Sequence, residues 1–177
     1  MGKGLEEILR QKKSVIAKEW FHYAIHAYAP ETAEFLKSKT DAFANPVGSA
    51  TLKGIKGLLD QLIHEMDPNA VTAFLDPIIR IRAAQNFTPS QATVFIPALR
   101  KILRDNLKSE LKDSRIAGEF VDFETKIDHL CLMAFDIYMQ CREKIYQIRA
   151  NETRNLTVRA FERAGLISET SKSGSSV

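Results

Sequence analysis

The sequence has few cysteines, no long apolar run and no signal-peptide core, which are the features of cross-linked, membrane-spanning and secreted proteins. Its 177 residues include two cysteines, Cys131 and Cys141, ten positions apart in one predicted helix. At about 1.5 Å of rise per residue they are roughly 15 Å apart along the helix axis, too far for a disulfide. We expect both thiols to be reduced, as is typical of a cytoplasmic protein.

Long apolar runs and a strong charge of one sign are also missing. No run approaches the roughly 20 apolar residues that cross a bilayer, and Met1–Arg10 contains Glu6 and Glu7 instead of a signal-peptide core. A net charge of +3 is too small to indicate nucleic-acid binding. The sequence predicts a soluble cytoplasmic protein with no membrane span and no nucleic-acid partner.

Motifs of catalysis are absent as well. There is no glycine-rich phosphate loop, no Gly-x-Ser-x-Gly and no Cys-x-x-Cys. We therefore expect neither an enzyme nor a bound cofactor.

Proline and glycine are missing between Gly118 and Gly165, and apolar residues recur there every three or four positions. This pattern predicts one helix over about 119–164, roughly 70 Å long, so part of it should leave the globule. Its second half, Arg142–Arg163, has six basic and three acidic residues. The apolar stripe continues there through Ile145, Ile148 and Leu156, which are candidate dimer or partner contacts.

Elsewhere, prolines divide the chain into shorter helices. The first helix should end near Ala29, because the residue before Pro30 resists helical geometry. A short helix carrying Phe35 and Leu36 should follow, and a third should start near Pro46 after a turn. Asp67-Pro68 and Asp76-Pro77 each combine a capping acceptor with a first-turn proline, which predicts two further short helices.

Thr88-Pro-Ser-Gln91 has the spacing of a capping box and predicts the start of another helix. That helix should run to about Leu111 and bend at Pro97, which removes a hydrogen bond and crowds the carbonyl of Thr93. Arg115–Gly118 should be a linker into the long helix.

No strand pattern or internal repeat is present. The sequence predicts an all-α domain of six to eight helices of unequal length, a globin-like helical sandwich instead of a uniform four-helix bundle. Residues 1–165 should form this single domain, and residues 166–177 a disordered serine-rich tail.

Two glycines, Gly54 and Gly57, lie inside the third helix, where each costs roughly 1 kcal/mol relative to alanine. With Ala50 they form a face of small side chains. This face favours close packing of a neighbouring helix over a ligand groove.

Glu19, His22 and His26 share one face of the first helix and are the sharpest metal-site candidate. A second Glu-x-x-His is missing, which argues against a di-iron centre. The alternative is that the histidines lie at the polar border of a buried face.

Two other histidines, His64 and His129, could be axial ligands to haem, but neither has a clear distal partner. Arg82 continues an apolar stripe. If buried, it should need a carboxylate such as Asp136 or Asp128.

Three stretches carry a family resemblance: Phe35–Gly48 with Gly54–Leu59, Ile79–Ala92, and Phe135–Arg149. The Asn-Pro-Val-Gly and Phe-Thr-Pro-Ser-Gln segments are the most specific. Together the stretches resemble the N-terminal domain family of RsbT co-antagonist proteins, the RsbR-type sensor domains of bacterial stressosomes.

The resemblance implies a haem-free globin-like fold, a dimer, and a last helix that passes a signal to a following STAS domain. The sequence ends twelve residues after Gly165, so this should be a stand-alone version without that domain. Stand-alone versions look to be associated with membrane redox complexes in some sulfate-reducing bacteria. Peripheral association with such a complex is therefore an open alternative.

Two functional hypotheses follow. The first is a non-enzymatic, homodimeric regulatory sensor domain whose state is reported through the long helix to a protein partner. The second is a metal- or cofactor-binding accessory protein of a redox complex.

Overall fold

The computed structural model describes residues 4–38 and 43–166, which are all-helical, as predicted, and end in a long helix. A 3-10 helix, Glu110–Lys112, precedes that last helix. Of the predicted tail, only Leu166 lies within the described residues, and the globin-like arrangement stays a prediction. The α-helices are Leu5–Ile25 (α1), Pro30–Ser38 (α2), Pro46–Ile63 (α3), Pro68–Ala84 (α4), Pro89–Thr93 (α5), Phe95–Asn106 (α6) and Ser114–Arg163 (α7).

The chain divides into two units, the first ending at Cys141 and the second beginning at Arg142. The core of the first unit is built by α1, α3, α4, α6 and the first part of α7. Burying each leucine-sized side chain stabilises the fold by roughly 1.5–3 kcal/mol. Fully buried examples, one per helix, are Leu9, Leu58, Ile79, Leu99 and Ile127.

Side-chain caps start three of the helices. Asn45 accepts a hydrogen bond from the amide of Gly48 at 2.8 Å at the start of α3, and Asp67 caps α4 with both carboxylate oxygens. At α5, Thr88 accepts from the amide of Gln91 at 3.3 Å, and the Gln91 side chain accepts from the Thr88 amide at 3.0 Å. Each cap is followed by a proline, whose missing N–H costs nothing in a first turn.

The prediction of a helix start at Asp76-Pro77 is wrong, because α4 continues through Pro77 to Ala84. Leu75 and Ile78 lie on either side of this proline and are both buried, so the apolar register passes through it unchanged. Pro77 itself is exposed. Burial of the surrounding stripe outweighs the lost hydrogen bond.

The single bent helix expected around Pro97 is instead two helices, α5 and α6, followed by the 3-10 helix. The interruption falls at Val94, whose backbone stays in the right-handed helical region (φ −55°, ψ −25°). Pro97 cannot donate to the carbonyl of Thr93, and Thr93 is the last residue of α5. The proline therefore lies in the first turn of α6, where no amide is required.

Two predicted helix limits are also wrong. Helix α1 ends at Ile25, because the next four residues form the turn into α2. Helix α7 begins at Ser114, so no linker separates it from the preceding segment. Asp113 accepts a hydrogen bond from the Arg115 amide at 2.8 Å, and Gly118 is accommodated inside the helix on its exposed side.

The glycine face of α3 packs against α4. A Cβ added at Gly54 would lie 2.7 Å from the carbonyl oxygen of Phe74 and 2.8 Å from Cδ1 of Ile78. At Gly57 it would lie 2.5 Å from Cδ1 of the Phe74 ring. Both glycines thus permit a helix approach that a larger side chain would block.

Candidate ligand cavity

A cavity of about 670 Å³ lies between the C-terminal end of α1 and helix α2. We name it the histidine cavity, because two histidines contribute to its wall. Its volume is within the range of about 300–1,000 Å³ that is typical of small-molecule sites. It is lined by His22, Ile25, His26, Tyr28, Pro30, Ala33, Glu34, Lys37 and Ser38.

The two helices place charged and apolar groups side by side. His22 lies in the last turn of α1, and His26, four residues on, is the C-cap residue on the same side. On α2, Ala33 is buried, while the neighbouring Glu34 and Lys37 remain exposed. The cavity therefore has an apolar wall and a small set of ionisable groups.

The electrostatic environment of His22 is positive. Burial lowers the pKa of His22 from its ordinary 6.5, and the charges of Lys37 and Lys18 lower it further. His26 acts in the same direction, and the Glu19 carboxylate opposes them. A cationic environment disfavours a second positive charge, so an anion bound beside His22 would raise its pKa.

The structure does not bring Glu19, His22 and His26 together as a three-ligand metal group. Within the described residues, no cluster of three His, Cys, Asp or Glu side chains could hold a metal ion. Glu19 instead accepts a hydrogen bond from the side chain of Asn106 at 2.7 Å. His22 and His26 remain a pair on the cavity wall.

Neither of the other two histidines is placed as a haem ligand would be. The ring of His64 is 2.9 Å from a terminal nitrogen of Arg10 and 2.8 Å from the carbonyl oxygen of Asp60, so both of its nitrogens are occupied. His129 is exposed and lines a smaller cavity of about 400 Å³ beside Lys126.

Arg82 is completely buried, and the prediction that a carboxylate balances it is wrong. Its guanidinium donates to the carbonyl of Ala24 at 2.7 Å and to that of Ala92 at 3.0 Å. Both acceptors lie in the last turns of helices, where carbonyls lack intrahelical donors and carry partial negative charge. Asp128, one expected partner, pairs with Arg100 on the surface.

Aromatic rings complete the surroundings of Arg82. Its guanidinium carbon lies 4.6 Å from the ring centre of Phe95, 5.8 Å from that of Tyr28 and 5.9 Å from that of Phe87. Burial lowers the pKa of Arg82, and Tyr28 acts in the opposite direction. Helix ends and aromatic faces take the place of a counter-ion.

Tyr28 connects the histidine cavity to α7. It lines the cavity, and its ring centre is 5.0 Å from that of Phe87. The carbonyl of Phe87 accepts a hydrogen bond from the Tyr138 hydroxyl of α7 at 2.5 Å. A contiguous set of contacts thus runs from the cavity to the long helix within the first unit.

Sequence reasoning missed Tyr28, Lys37 and Tyr138 as members of this region. One signal was available in the sequence: an asparagine, Asn86, shortly follows α4, and asparagine adopts the left-handed conformation more readily than most residues. In the structure Asn86 has a φ of 61°. The amide of Phe87 donates to the carbonyl of Arg82 at 3.1 Å across this turn. This turn places the Phe87 ring against the ring of Tyr28.

These features define an all-helical domain with a ligand-sized cavity between the end of α1 and helix α2. Residues 14–153 match the family described as the RsbT co-antagonist protein rsbRD N-terminal domain. Because the match covers most of the sequence, the chain belongs to this family of regulatory signalling domains.

The chain also resembles an uncharacterized protein of Archaeoglobus fulgidus, at 33% identity over 79 residues. That alignment covers 44% of this chain and 48% of the relative, so the chain spans about half the length of the curated relative. No solved structure matches. In the part of the chain that the structure describes, no helix is long and apolar enough to cross a membrane.

Proposed function

We propose that the chain is a homodimeric sensor domain of the stressosome type, with its second unit as the dimer contact. The observation that carries this proposal is the exposure of apolar side chains on the second part of α7. Ile148 is 49% exposed and Leu156 is 66% exposed.

The side chains of this part of α7 are open to solvent. Every residue from Tyr146 to Leu166 is exposed. Helices in water gain most of their stability from packing of an apolar face, and unpacked helices are marginal. A partner helix would supply that packing.

A second copy of the chain suits this surface. Ile145, Ile148 and Leu156 lie within an arc of roughly 80° on the helix, which follows from 100° per residue. Arg149 and Glu152 lie on the same side, so opposite charges could meet across a two-fold interface.

Within the first unit, α7 exposes a further apolar stripe. Leu132, Phe135 and Met139 are spaced by three and four residues, and each is at least 48% exposed. Such spacing is typical of residues that face another helix. At 100° per residue this stripe lies on the side of α7 away from Ile148, so it is a separate apolar surface and adds no support to a contact through Ile148.

Replacing Ile148 with Asp should test the proposal. Burying a carboxylate in an apolar contact is unfavourable, so Ile148→Asp should weaken the dimer at least about tenfold, as about 1.4 kcal/mol would. The measurement is the dimer dissociation constant from analytical ultracentrifugation. Ala150→Asp is the matched control, because residue 150 lies on the opposite side of the helix and should leave the constant nearly unchanged. A wild-type monomer at high micromolar concentration, or equal effects of both substitutions, would refute the proposal.

A further inference from the structure

We propose that the histidine cavity binds a small organic carboxylate, whose anionic group meets His22, His26 and Lys37 and whose apolar body lies along the remaining wall. The proposal deepens the function proposed above by naming the class of ligand that the sensor detects. Ligand binding is measured separately from dimerisation, so either can fail without the other.

The shape and lining of the cavity favour a small organic molecule. Ligand sites are mostly apolar, with a few polar groups that orient the ligand. Here the apolar part comes from Ile25, Tyr28, Pro30 and Ala33. A bare inorganic anion would leave this part of the wall without contacts.

The charges near the cavity favour an anion. Lys37 lies on the wall, and Lys18 is close enough to act on His22. Two carboxylates oppose them, but Glu19 already accepts a hydrogen bond from Asn106 of α6. Glu34 is also on the wall, and its carboxylate would repel an anion placed next to it. Lys37, Lys18 and His26 outnumber Glu19 among the charges that shift the pKa of His22, so the anionic group of a ligand is favoured beside His22 and away from Glu34.

The contacts of Tyr28 suggest how binding could be reported. A ligand in the cavity would touch Tyr28, which packs on Phe87. Phe87 in turn holds Tyr138 of α7 through its carbonyl. A ligand that shifts the Tyr28 ring would change the packing at a hydrogen bond to the long helix.

Benzoate is a suitable probe, because it combines one carboxylate with a compact apolar ring. Titration calorimetry should show benzoate binding at millimolar or lower concentration, and neutral benzamide should bind at least about fivefold more weakly. Inorganic phosphate, which lacks the apolar body, should also bind more weakly. In histidine NMR spectra, benzoate should raise the pKa of His22 and should not move the resonances of His129, which does not line the cavity.

The affinity for benzoate should decrease as the pH rises. An anion stabilises the protonated form of His22, so affinity should be highest below the lowered pKa of the free protein. Affinity should fall as the pH rises through the higher pKa of the complex. If benzoate raises the pKa of His22 by about one, the affinity for benzoate should be about tenfold higher well below both pKa values than well above them.

Substitutions of opposite charge give the sharpest test. Lys37→Gln should weaken benzoate binding about threefold to fivefold, as expected for one exposed charge. Glu34→Gln, one turn away on α2, should strengthen it or leave it unchanged. Lys53→Gln on α3 changes the same charge at an exposed residue that does not line the cavity and should have no effect.

Three results would overturn the proposal. One is the absence of any benzoate binding at millimolar concentration. Another is equal affinity for benzoate and benzamide. The third is an equal loss with Lys37→Gln and Lys53→Gln. Stoichiometric zinc binding that is lost with His22→Gln, without carboxylate binding, would replace the anion site with a metal site.

Discussion

At the residue scale, Arg82 has a buried positive charge that is balanced by helix ends. Within the described residues, its Nε atom is a buried nitrogen without a hydrogen-bond partner. Its other nitrogens satisfy carbonyls of α1 and α5 that have no donor of their own. Arg82 therefore links α4 to α1 and α5, because it donates hydrogen bonds to carbonyl groups that lack donors within their own helices.

Replacing Arg82 with Met should lower the free energy of unfolding by about 1 to 3 kcal/mol, because two buried carbonyls lose their donors. Chemical denaturation measures the change. Arg80→Met is the matched control on the same helix. Arg80 pairs with Asp76 on the surface, so its loss should change stability by less than about 0.5 kcal/mol. A more stable Arg82→Met protein would mean that desolvation of the charge outweighs its hydrogen bonds.

Glu110 should make stability sensitive to acid. Its carboxylate accepts from Lys12 at 2.6 Å and from Ser109 at 2.7 Å, and these contacts lower its pKa from 4.5 to about 2. A carboxylate with a lowered folded-state pKa stabilises the fold above its unfolded pKa and loses that contribution as the pH falls.

The contribution of Glu110 should therefore be complete at neutral pH and disappear between about pH 4.5 and 2. Because the pair is partly exposed, we expect less than about 1 kcal/mol. Glu110→Gln should melt at a lower temperature than wild type at pH 7, and the difference should shrink towards pH 2. A difference that is independent of pH would contradict this assignment.

At the element scale, the α3–α4 contact depends on the absence of side chains at Gly54 and Gly57. The nearest obstacle to a Cβ at Gly54 is a backbone oxygen, which cannot move without moving α4. The cost of glycine in a helix interior is therefore offset by close packing.

Gly54→Ala should lower the melting temperature, because strain from overpacking, roughly 1 to 3 kcal/mol, exceeds the gain in helix propensity of about 1 kcal/mol. Gly118→Ala in α7 is the control, since its added Cβ would meet nothing within 4 Å. This control should raise the melting temperature. If both substitutions changed the melting temperature in the same direction, close packing at Gly54 would not be the cause.

At the scale of the whole molecule, the two units differ in how their helices are held. Side chains of α7 in the first unit, such as Phe120 and Leu130, are buried. Those from Tyr146 onward are exposed. Segments with few buried side chains unfold locally most easily. The protection of second-unit amides from hydrogen exchange should therefore depend on dimerisation.

Hydrogen–deuterium exchange should therefore depend on protein concentration in peptides from Arg142–Arg163. Dilution should increase deuterium uptake there, because dimer dissociation exposes helix amides. Peptides from α3 should exchange at the same slow rate throughout and are the internal control. Uptake in Arg142–Arg163 that is independent of concentration would argue against dimerisation through this segment.

The sequence by itself determined the helical class, the long last helix and the helix starts at Pro46, Pro68 and Pro89. These features follow from periodicity and capping, which act over a few neighbouring residues. The family resemblance also came from local stretches, and the match over residues 14–153 confirms it.

Only the tertiary structure decided how helices continue past prolines and which distant groups meet. At Pro77, burial of neighbouring residues overrode a local helix-start signal. Arg82 meets a carbonyl 58 positions away, at Ala24, instead of the expected carboxylate. The histidine cavity likewise depends on the angle at which α2 returns from α1. That angle is set by packing of both helices on the core, for which no local sequence pattern exists.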